Sequence, residues 1–306
     1  MATSIAYDKI TEVLIESLSE GKIPWQKPWA AVPPMNAFTK KAYRGINQIV
    51  LGLSKFADPR WATFKQITEH GGKVKKGSKS STVVFWAFLK SKPDPNKKPG
   101  EVSSAERSVP FLKYFSVFNV EQTEGLDLPP VTELGLKIHS PIEACEEIVA
   151  GYENGPKINR SVDGAYYQPS HDFVGMPGIE TFATPESYYS VLFHELGHST
   201  GHATRLNRKE VANREGGFGS CEYSKEELVA EFTAYFLCNV AGIENKSLET
   251  NTTAYLQSWI SALSGDVKLA VAAAGRAQKA ADWIQGIKQE EGADVEVEAA
   301  QELVAA

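Results

Sequence analysis

The sequence predicts an α+β protein of two domains, and three observations support this fold class. The chain has 306 residues, enough for two hydrophobic cores. Residues 1–128 carry 19 Lys/Arg and 12 Asp/Glu, a balance of +7, whereas the remainder carries 13 and 26, a balance of −13. After a capping box at Ser140, which predicts the start of a new domain, short strand patterns and several helical patterns follow. We expect domains at 1–128 and 141–288, a linker at 129–140, and a disordered acidic tail at 289–306.

In the first domain, apolar residues at helical spacing predict an opening helix, which Gly21 ends. Glycines also end the third predicted helix. A lysine-rich hairpin follows it, and the β-branched and aromatic residues after that hairpin predict a strand. A polar loop separates this strand from the next. The predicted elements are a helix at 5–18, helices at 44–56 and 61–72, a basic hairpin and strand at 73–90, and a strand at 109–122.

The second domain is predicted to open with a helix whose first residue is Pro141, because Ser140 and Glu143 form the ends of a capping box. Thr184 is expected to be the N-cap of the helix that carries the histidines, and Gly201 to end it. The further predicted elements are short strands at 164–178 and helices at 184–200, 224–242, 252–266 and 268–287.

The composition argues for a cytoplasmic protein without a membrane segment. No apolar run approaches the roughly 20 residues that a membrane helix needs. The first residues lack the basic start and apolar block of a signal peptide. Cys145, Cys221 and Cys238 are far apart and have no metal-binding or redox spacing, which is typical of reduced thiols.

The motif H-E-x-x-H at 194–198 predicts a metal centre. His194 and His198 are four apart and share one helix face, so both can bind one ion. Glu195 lies at the edge of that face, where it can act as general base towards a metal-bound water. The motif also occurs by chance, but here a helix cap precedes it and glycine follows it. We expect one Zn²⁺ per chain, with Mn²⁺ or another divalent ion as the alternative.

A third ligand is expected on the next helix, where Glu227 and Glu231 are four apart. As in glutamate zincins, Glu227 fits the ligand and Glu231 the residue that braces a histidine. In an alternative, Ser224 and Glu227 form a capping box, and Glu231 is the ligand. Glu226 is expected to point away from the metal.

Three further residues are expected in the pocket or around the ligands. His202 lies four residues beyond His198, and the rise of the helix carries it too far along the axis to share the ion easily. We expect it to be a pocket residue or a polar helix end. Tyr166 and Tyr167 lie in a predicted strand that could pair with an extended peptide, and either could face the cleft.

The basic first half predicts contact with single-stranded nucleic acid. Lysines clustered between glycines can neutralise phosphates, and nearby aromatic rings can stack on unpaired bases. The alternative is that the aromatic residues belong to the core and the lysines to a solvated turn. The residues expected to contact DNA are Arg44, Trp61, Phe64, Lys73, Lys75, Lys76 and Lys79.

Several segments resemble the ArdC-type antirestriction proteins of conjugative plasmids. They include "IPWQKPW", "YRGINQIVL", "AYYQPSHDFVGMP", "YYSVLFHELGHSTGHATRLNR" and "EELVAEFTAYFLC", and the likeness covers nearly all of residues 5–287. It implies an N-terminal domain that binds single-stranded DNA, a zincin-like metallopeptidase domain, and protection of incoming plasmid DNA from host restriction. "EELVAEF" also resembles the ligand helix of IrrE-type regulatory peptidases. Ser199 departs from the family, in which many relatives carry tryptophan at this position.

Three functions are compatible with these motifs. The first is an antirestriction protein with a working metallopeptidase, which could act on a host protein. The second is a DNA-binding protein whose zincin domain is a catalytically idle scaffold. The third, a metal-dependent nuclease, is disfavoured because nucleases usually bind Mg²⁺ or Mn²⁺ through oxygen ligands. No oligomeric state follows from the sequence.

Overall fold

A computed structural model describes residues 2–26, 32–90, 108–130, 141–161, 164–212, 221–244 and 253–288. It combines helices with three β-sheets in this part of the chain, which confirms the α+β class. Most of the predicted linker, the polar loop before the second long strand and the acidic tail lie outside the described residues.

The N-terminal half contains a four-stranded sheet with helices packed against it. Its strand order is β1-β2-β5-β4, with β1 parallel to β2 and the other pairs antiparallel, and β3 pairs separately with β6. The elements are α1 (Ala2–Ser19), β1 (Met35–Asn36), α2 (Ile46–Gly52), β2 (Arg60–Thr63), α3 (Phe64–Glu69), β3 (Lys73–Val74), β4 (Ser81–Lys90), β5 (Ser108–Asn119) and β6 (Thr123–Glu124).

The helix predicted from residue 61 begins later than expected. Trp61 lies in β2, opposite Asn119 of β5. Thr63 is the N-cap, because its side chain accepts a hydrogen bond from the Gln66 backbone amide while the Gln66 side chain accepts one from the Thr63 amide. This capping box starts α3 at Phe64 and leaves the residues before it free to join the sheet.

The C-terminal half places a long antiparallel helix pair beside a small sheet of order β7-β9-β8, in which β8 is an edge strand. The predicted starts at Pro141 and at Pro185 after the Thr184 N-cap are confirmed. The elements are α4 (Pro141–Ala150), β7 (Lys157–Arg160), β8 (Tyr166–Gln168), β9 (Phe173–Met176), α5 (Pro185–Ser199), α6 (Lys209–Ala212), α7 (Cys221–Ala241), α8 (Thr253–Gly265) and α9 (Leu269–Ile284).

The two halves share one hydrophobic core. Trp25, which follows α1, is fully buried, and its ring meets Phe232 of α7 edge-on at 5.1 Å and Trp259 of α8 at 5.7 Å. Arg44 forms an ion pair with the buried Asp282 of α9, with Nη2 2.7 Å from Oδ1. A fragment that ends at the predicted boundary would therefore expose core side chains. None of the helices in the described ranges is long and apolar enough to cross a membrane.

Candidate metal centre

Helices α5 and α7 bring two imidazoles and one carboxylate together. His194 Nε2 and His198 Nε2 lie 3.1 Å apart. Glu227 places Oε2 3.5 Å from the first of these nitrogens and Oε1 3.4 Å from the second. Ligand atoms around a tetrahedral Zn²⁺ lie roughly 3.3 Å apart when the metal–ligand bonds are about 2.0–2.1 Å. The three side chains therefore fit the donor set and spacing of a divalent metal site.

Close approach of α5 and α7 is what allows this spacing. A Cβ atom on Gly197 would lie 3.1 Å from Thr233 Cβ and 3.2 Å from Ala230 Cα. A side chain at this position would require its neighbours to move by a few tenths of an ångström, so glycine favours the close approach. Gly197 directly precedes His198, so the contact lies next to a candidate ligand.

The helix start excludes the capping-box alternative for Glu227. Helix α7 begins at Cys221, three residues before Ser224, so Ser224 lies inside the first turn and cannot be the N-cap. Glu227 is consequently in the second turn, with its carboxylate directed at the two histidines. The structure thus brings the Glu227 carboxylate beside both histidines, where it could serve as the third ligand.

Glu226 is not among the three candidate ligands, but its side chain contacts the far side of one of them. Its buried carboxylate lies 3.3 Å from His198 Nδ1, the ring nitrogen that does not face Glu227. Arg208 donates to both Glu226 oxygens, at 2.6 and 2.9 Å, and also to Thr200 Oγ1 and the Gly197 carbonyl. Glu226 turns inward because the segment before α6 supplies this buried guanidinium, which the sequence spacing alone did not reveal.

The electrostatics of the cluster favour a cation. Burial disfavours the charged form of His198, but Glu227 and Glu226 outweigh it and raise the His198 pKa to about 10. Burial alone would raise the pKa of Glu227, yet the two histidines lower it well below its usual range. Carboxylates that stabilise an imidazolium in this way would also stabilise a bound divalent ion.

Glu195 and Glu231 are both buried near the histidines. The charge of Glu195 raises the pKa of His194 and of His198, which places its carboxylate within electrostatic reach of both rings. Glu231 also raises the pKa of His194, and its Oε1 accepts a hydrogen bond of 3.0 Å from Tyr255. Glu231 is therefore within electrostatic reach of His194, and its expected role as a bracing residue stays a prediction.

His202 lies beyond the C-terminal end of α5 and outside the ligand group. Its Nδ1 is 2.8 Å from Thr204 Oγ1. It lines a cavity of about 400 Å³ next to the end of β8, and its expected role in the pocket of the metal site stays a prediction. The other lining residues are Gln168, Pro169, Ser170, Gly201, Ala203 and Val211.

The two tyrosines of β8 have different environments because successive strand residues face opposite sides. Tyr166 is exposed, whereas Tyr167 is fully buried. Tyr167 donates a hydrogen bond of 2.8 Å to Asp172, and Arg205 donates one to the Tyr167 hydroxyl. The expectation that Tyr167 could face an open cleft was wrong, because its side chain is buried. Of the two tyrosines, Tyr166 is the one whose side chain is accessible to a peptide.

The residues expected to contact DNA divide into three groups. Phe64 is 61% exposed, and the predicted lysines of the hairpin are all exposed. Trp61 is only 1% exposed and packs edge-on against Phe56, so its expected stacking role was wrong: its side chain points from β2 into the core. Arg44 has its guanidinium engaged with Asp282. The exposed lysines are Lys73, Lys75, Lys76 and Lys79.

Two family models match this chain. Residues 4–118 match the N-terminal domain of anti-restriction factor ArdC, and residues 143–276 match a zincin-like metallopeptidase. Among curated proteins, a DNA primase TraC of Escherichia coli is 36% identical over 93% of this chain, but the chain spans only 27% of that protein's length. An uncharacterized protein y4eC of Sinorhizobium fredii (strain NBRC 101917 / NGR234) is 30% identical, with 91% of each chain covered.

Solved structures show the same architecture. The crystal structure of the antirestriction ArdC protein from the R388 plasmid, in its metal-free form, is 34% identical. It matches with a TM-score of 0.71, and the match covers 92% of this chain and 97% of that one. The Mn(II)-bound structure of the same protein matches with a TM-score of 0.68. Similarity over almost the full length of both chains shows that this protein belongs to the ArdC family of antirestriction proteins.

Proposed function

We propose that this protein binds single-stranded DNA and thereby protects incoming plasmid DNA from host restriction during conjugation, in the cytoplasm. The observation that carries the proposal is a set of exposed lysines at β3 and in the loop that joins it to β4, in a half that matches the ArdC N-terminal domain. We call these residues, Lys73, Lys75, Lys76 and Lys79, the basic turn. Lysines that neutralise DNA phosphates release the counterions bound to them. This release favours binding whatever the base sequence of the DNA.

Hydrogen bonds to the segment around Gln122 hold the basic turn, and they include one of 2.8 Å from Lys75 Nζ to the Glu121 carbonyl, while the lysines remain exposed. The Lys75 amide donates to the Gln122 carbonyl at 2.8 Å, and Gln122 Nε2 donates to the Lys79 carbonyl at 2.9 Å. β3 also pairs with β6. A fixed turn loses less conformational freedom when it contacts phosphate, and Phe64 at the start of α3 offers an exposed ring for stacking.

The second part of the proposal is a zinc-dependent peptidase centre. His194, His198 and Glu227 would hold the ion. When bound, the ion would lower the pKa of a coordinated water and polarise a carbonyl oxygen. Glu195 would accept the proton from that water as general base. Glu226 holds the His198 ring through Nδ1, which leaves Nε2 directed at the centre.

A host protein is the proposed substrate class of this centre. Among the described strands β8 lies at the edge of its sheet, so an extended peptide could pair with its outer side, beside the exposed Tyr166. The cavity that His202 lines lies at the end of the same strand and could take a side chain of that peptide. Two imidazoles and a carboxylate suit Zn²⁺ and acyl chemistry better than nuclease chemistry.

Conjugative transfer into a restricting host tests the proposal. The variants are Glu195→Gln, which keeps the three candidate ligands, and the triple reversal Lys73→Glu, Lys75→Glu, Lys76→Glu. We expect the Glu195 variant to protect nearly as well as wild type, because covering a strand needs no hydrolysis, and the triple variant to fail. Loss of protection in Glu195→Gln, with fold and metal content intact, would instead make proteolysis the mechanism.

A binding measurement supports the transfer experiment. We expect the full-length protein to bind single strands more tightly than duplex, with an affinity that falls steeply as salt is added. The triple lysine reversal should weaken binding and flatten the salt dependence. Equal affinity for both forms of DNA, or a salt-independent affinity, would contradict the role of the basic turn.

A further inference from the structure

The β4–β5 hairpin carries a row of aromatic side chains on one face. Residues directly opposite each other in an antiparallel pair lie on the same face of the sheet. Phe85 is opposite Lys113, Val83 is opposite Phe115, and Ala87 is opposite Phe111. We define Phe85, Phe111, Lys113 and Phe115 as the aromatic strip.

Neighbouring side chains cover this face around Val83 and Val117, whereas the side chains of the aromatic strip are partly exposed to solvent. Val83 and Val117 are 1% exposed and pack in the cluster that contains Trp61. Further along the hairpin, Phe85 and Phe115 are only half-buried, although they pack against that same cluster. The rings are therefore anchored at one edge and accessible at the other.

The geometry of the strip combines ring faces with a cation. The Phe85 and Phe115 ring centroids lie 5.7 Å apart at an interplanar angle of 62°. Lys113, which is exposed, places its ammonium 4.9 Å from the Phe115 centroid. Among the described side chains of β4 and β5 on this face, none is acidic. A rigid aromatic surface with a positive charge and no carboxylate is complementary to bases and phosphate.

The opposite face of the hairpin is covered only in part, because Trp86 and Tyr114 are exposed there, at 38% and 37%. Val84 and Leu112 are buried there, and Lys9 of α1 lies over the Tyr114 ring at 5.3 Å. The long helix α1 packs against this side of the sheet. The strip therefore lies on the side that α1 leaves uncovered.

We propose that the aromatic strip is a stacking platform for unpaired bases, with Lys113 contacting the adjoining phosphate. This inference rests on the proposed single-stranded DNA binding and adds a second contact site to the basic turn. Phe85 lies six residues after Lys79, which corresponds to about 20 Å in an extended strand. The two sites can therefore be disrupted separately.

Binding of fluorescently labelled oligothymidylate to the full-length protein tests the platform. We expect Phe85→Leu combined with Phe115→Leu to weaken binding roughly 10-fold or more, because each stacked base contributes about 1–3 kcal/mol. The salt slope should stay unchanged, because no charge is removed. Lys113→Gln should reduce that slope by about one. Trp86→Leu, on the opposite face, is the matched aromatic control and should bind as wild type does.

A single variant that keeps the ring provides a second readout. Phe115→Trp should retain its affinity for the oligonucleotide. The tryptophan fluorescence that this variant gains over wild type should be quenched when a base stacks on the new ring. This substitution retains an aromatic side chain, so it remains informative where the double leucine variant folds poorly.

The outcomes separate this inference from the proposed function. Failure of the wild-type protein to bind single strands would overturn both. Wild-type binding with unchanged affinity in the double leucine and Lys113→Gln variants, and no quenching in Phe115→Trp, would overturn the platform alone. If the leucine variant instead changes the oligomeric state, measured by light scattering, while keeping its DNA affinity, the strip is a self-association surface and the platform is wrong.

Discussion

Glu226 Oε1 lies 3.3 Å from His198 Nδ1, while His198 Nε2 on the other side of the ring faces the candidate ligand Glu227. One imidazole is thus held from both sides by neighbouring residues of the same helix. Arg208 fixes the outer carboxylate through two hydrogen bonds. This chain of buried contacts orients the ring before any ion binds.

The first prediction concerns that chain of contacts. We expect Glu226→Gln to lower metal affinity about 10–100-fold, because the amide keeps the shape but loses the charge that orients His198. Competition with a chromogenic chelator measures the affinity. Glu147→Gln, on the exposed face of α4, is the matched control and should bind metal as wild type does. Unchanged affinity in Glu226→Gln would show that the contact does not support the centre.

The second prediction concerns the approach of α5 and α7. Gly197→Ala should destabilise the fold by about 1–3 kcal/mol and weaken metal binding, because its new methyl group would press on Thr233 and Ala230. Gly275→Ala in α9 meets no atom within 4 Å and should instead stabilise the protein by about 0.5–1 kcal/mol. Urea unfolding measures both changes. A neutral Gly197→Ala would mean that the helices can separate without cost.

The third prediction concerns the ion pair between the halves. Arg44→Ala should cost about 1–2 kcal/mol of stability, since the buried Asp282 loses its guanidinium partner. Its effect on DNA affinity should be small, because the guanidinium is directed at α9. Chemical denaturation and oligonucleotide binding on the same sample distinguish the roles. A large loss of DNA affinity with unchanged stability would restore Arg44 as a DNA contact.

The fourth prediction concerns acid stability. Burial would raise the pKa of Asp172, but hydrogen bonds from Arg205 and Tyr167 outweigh it and lower the pKa below its usual value. A lowered folded-state pKa contributes stability above the unfolded pKa of about 3.9, and this is lost as pH falls through the folded value. Asp172→Asn should therefore be less stable than wild type at neutral pH, and the difference should shrink below pH about 4. A difference independent of pH would contradict this.

The grouping of the three candidate ligands was largely predictable because its signals are local. His194 and His198 are four apart on one helix, and Glu227 belongs to a second short motif. The role of Glu226 was not predictable, because it depends on where α7 begins and on Arg208, which approaches from another segment. Likewise, the ion pair of Arg44 joins residues 238 positions apart.

The aromatic residues of the first half show a different limit. Trp61, Phe64 and Phe85 lie in one aromatic, basic region of the sequence, yet Trp61 is buried, Phe85 is half-buried and Phe64 is exposed. Their environments follow from the strand register and from the capping box at Thr63, which converts an expected helix start into a strand. A one-residue change of register moves a side chain to the other face of a sheet.

The central claim is that His194, His198 and Glu227 form one metal site, and the metal content of purified variants tests it most directly. Elemental analysis after incubation with Zn²⁺ and removal of free ion should give about one ion per chain for wild type. His194→Ala and Glu227→Gln should each lose most of it, and Glu231→Gln should keep more than Glu227→Gln does. Full metal retention in Glu227→Gln together with loss in Glu231→Gln would contradict the account.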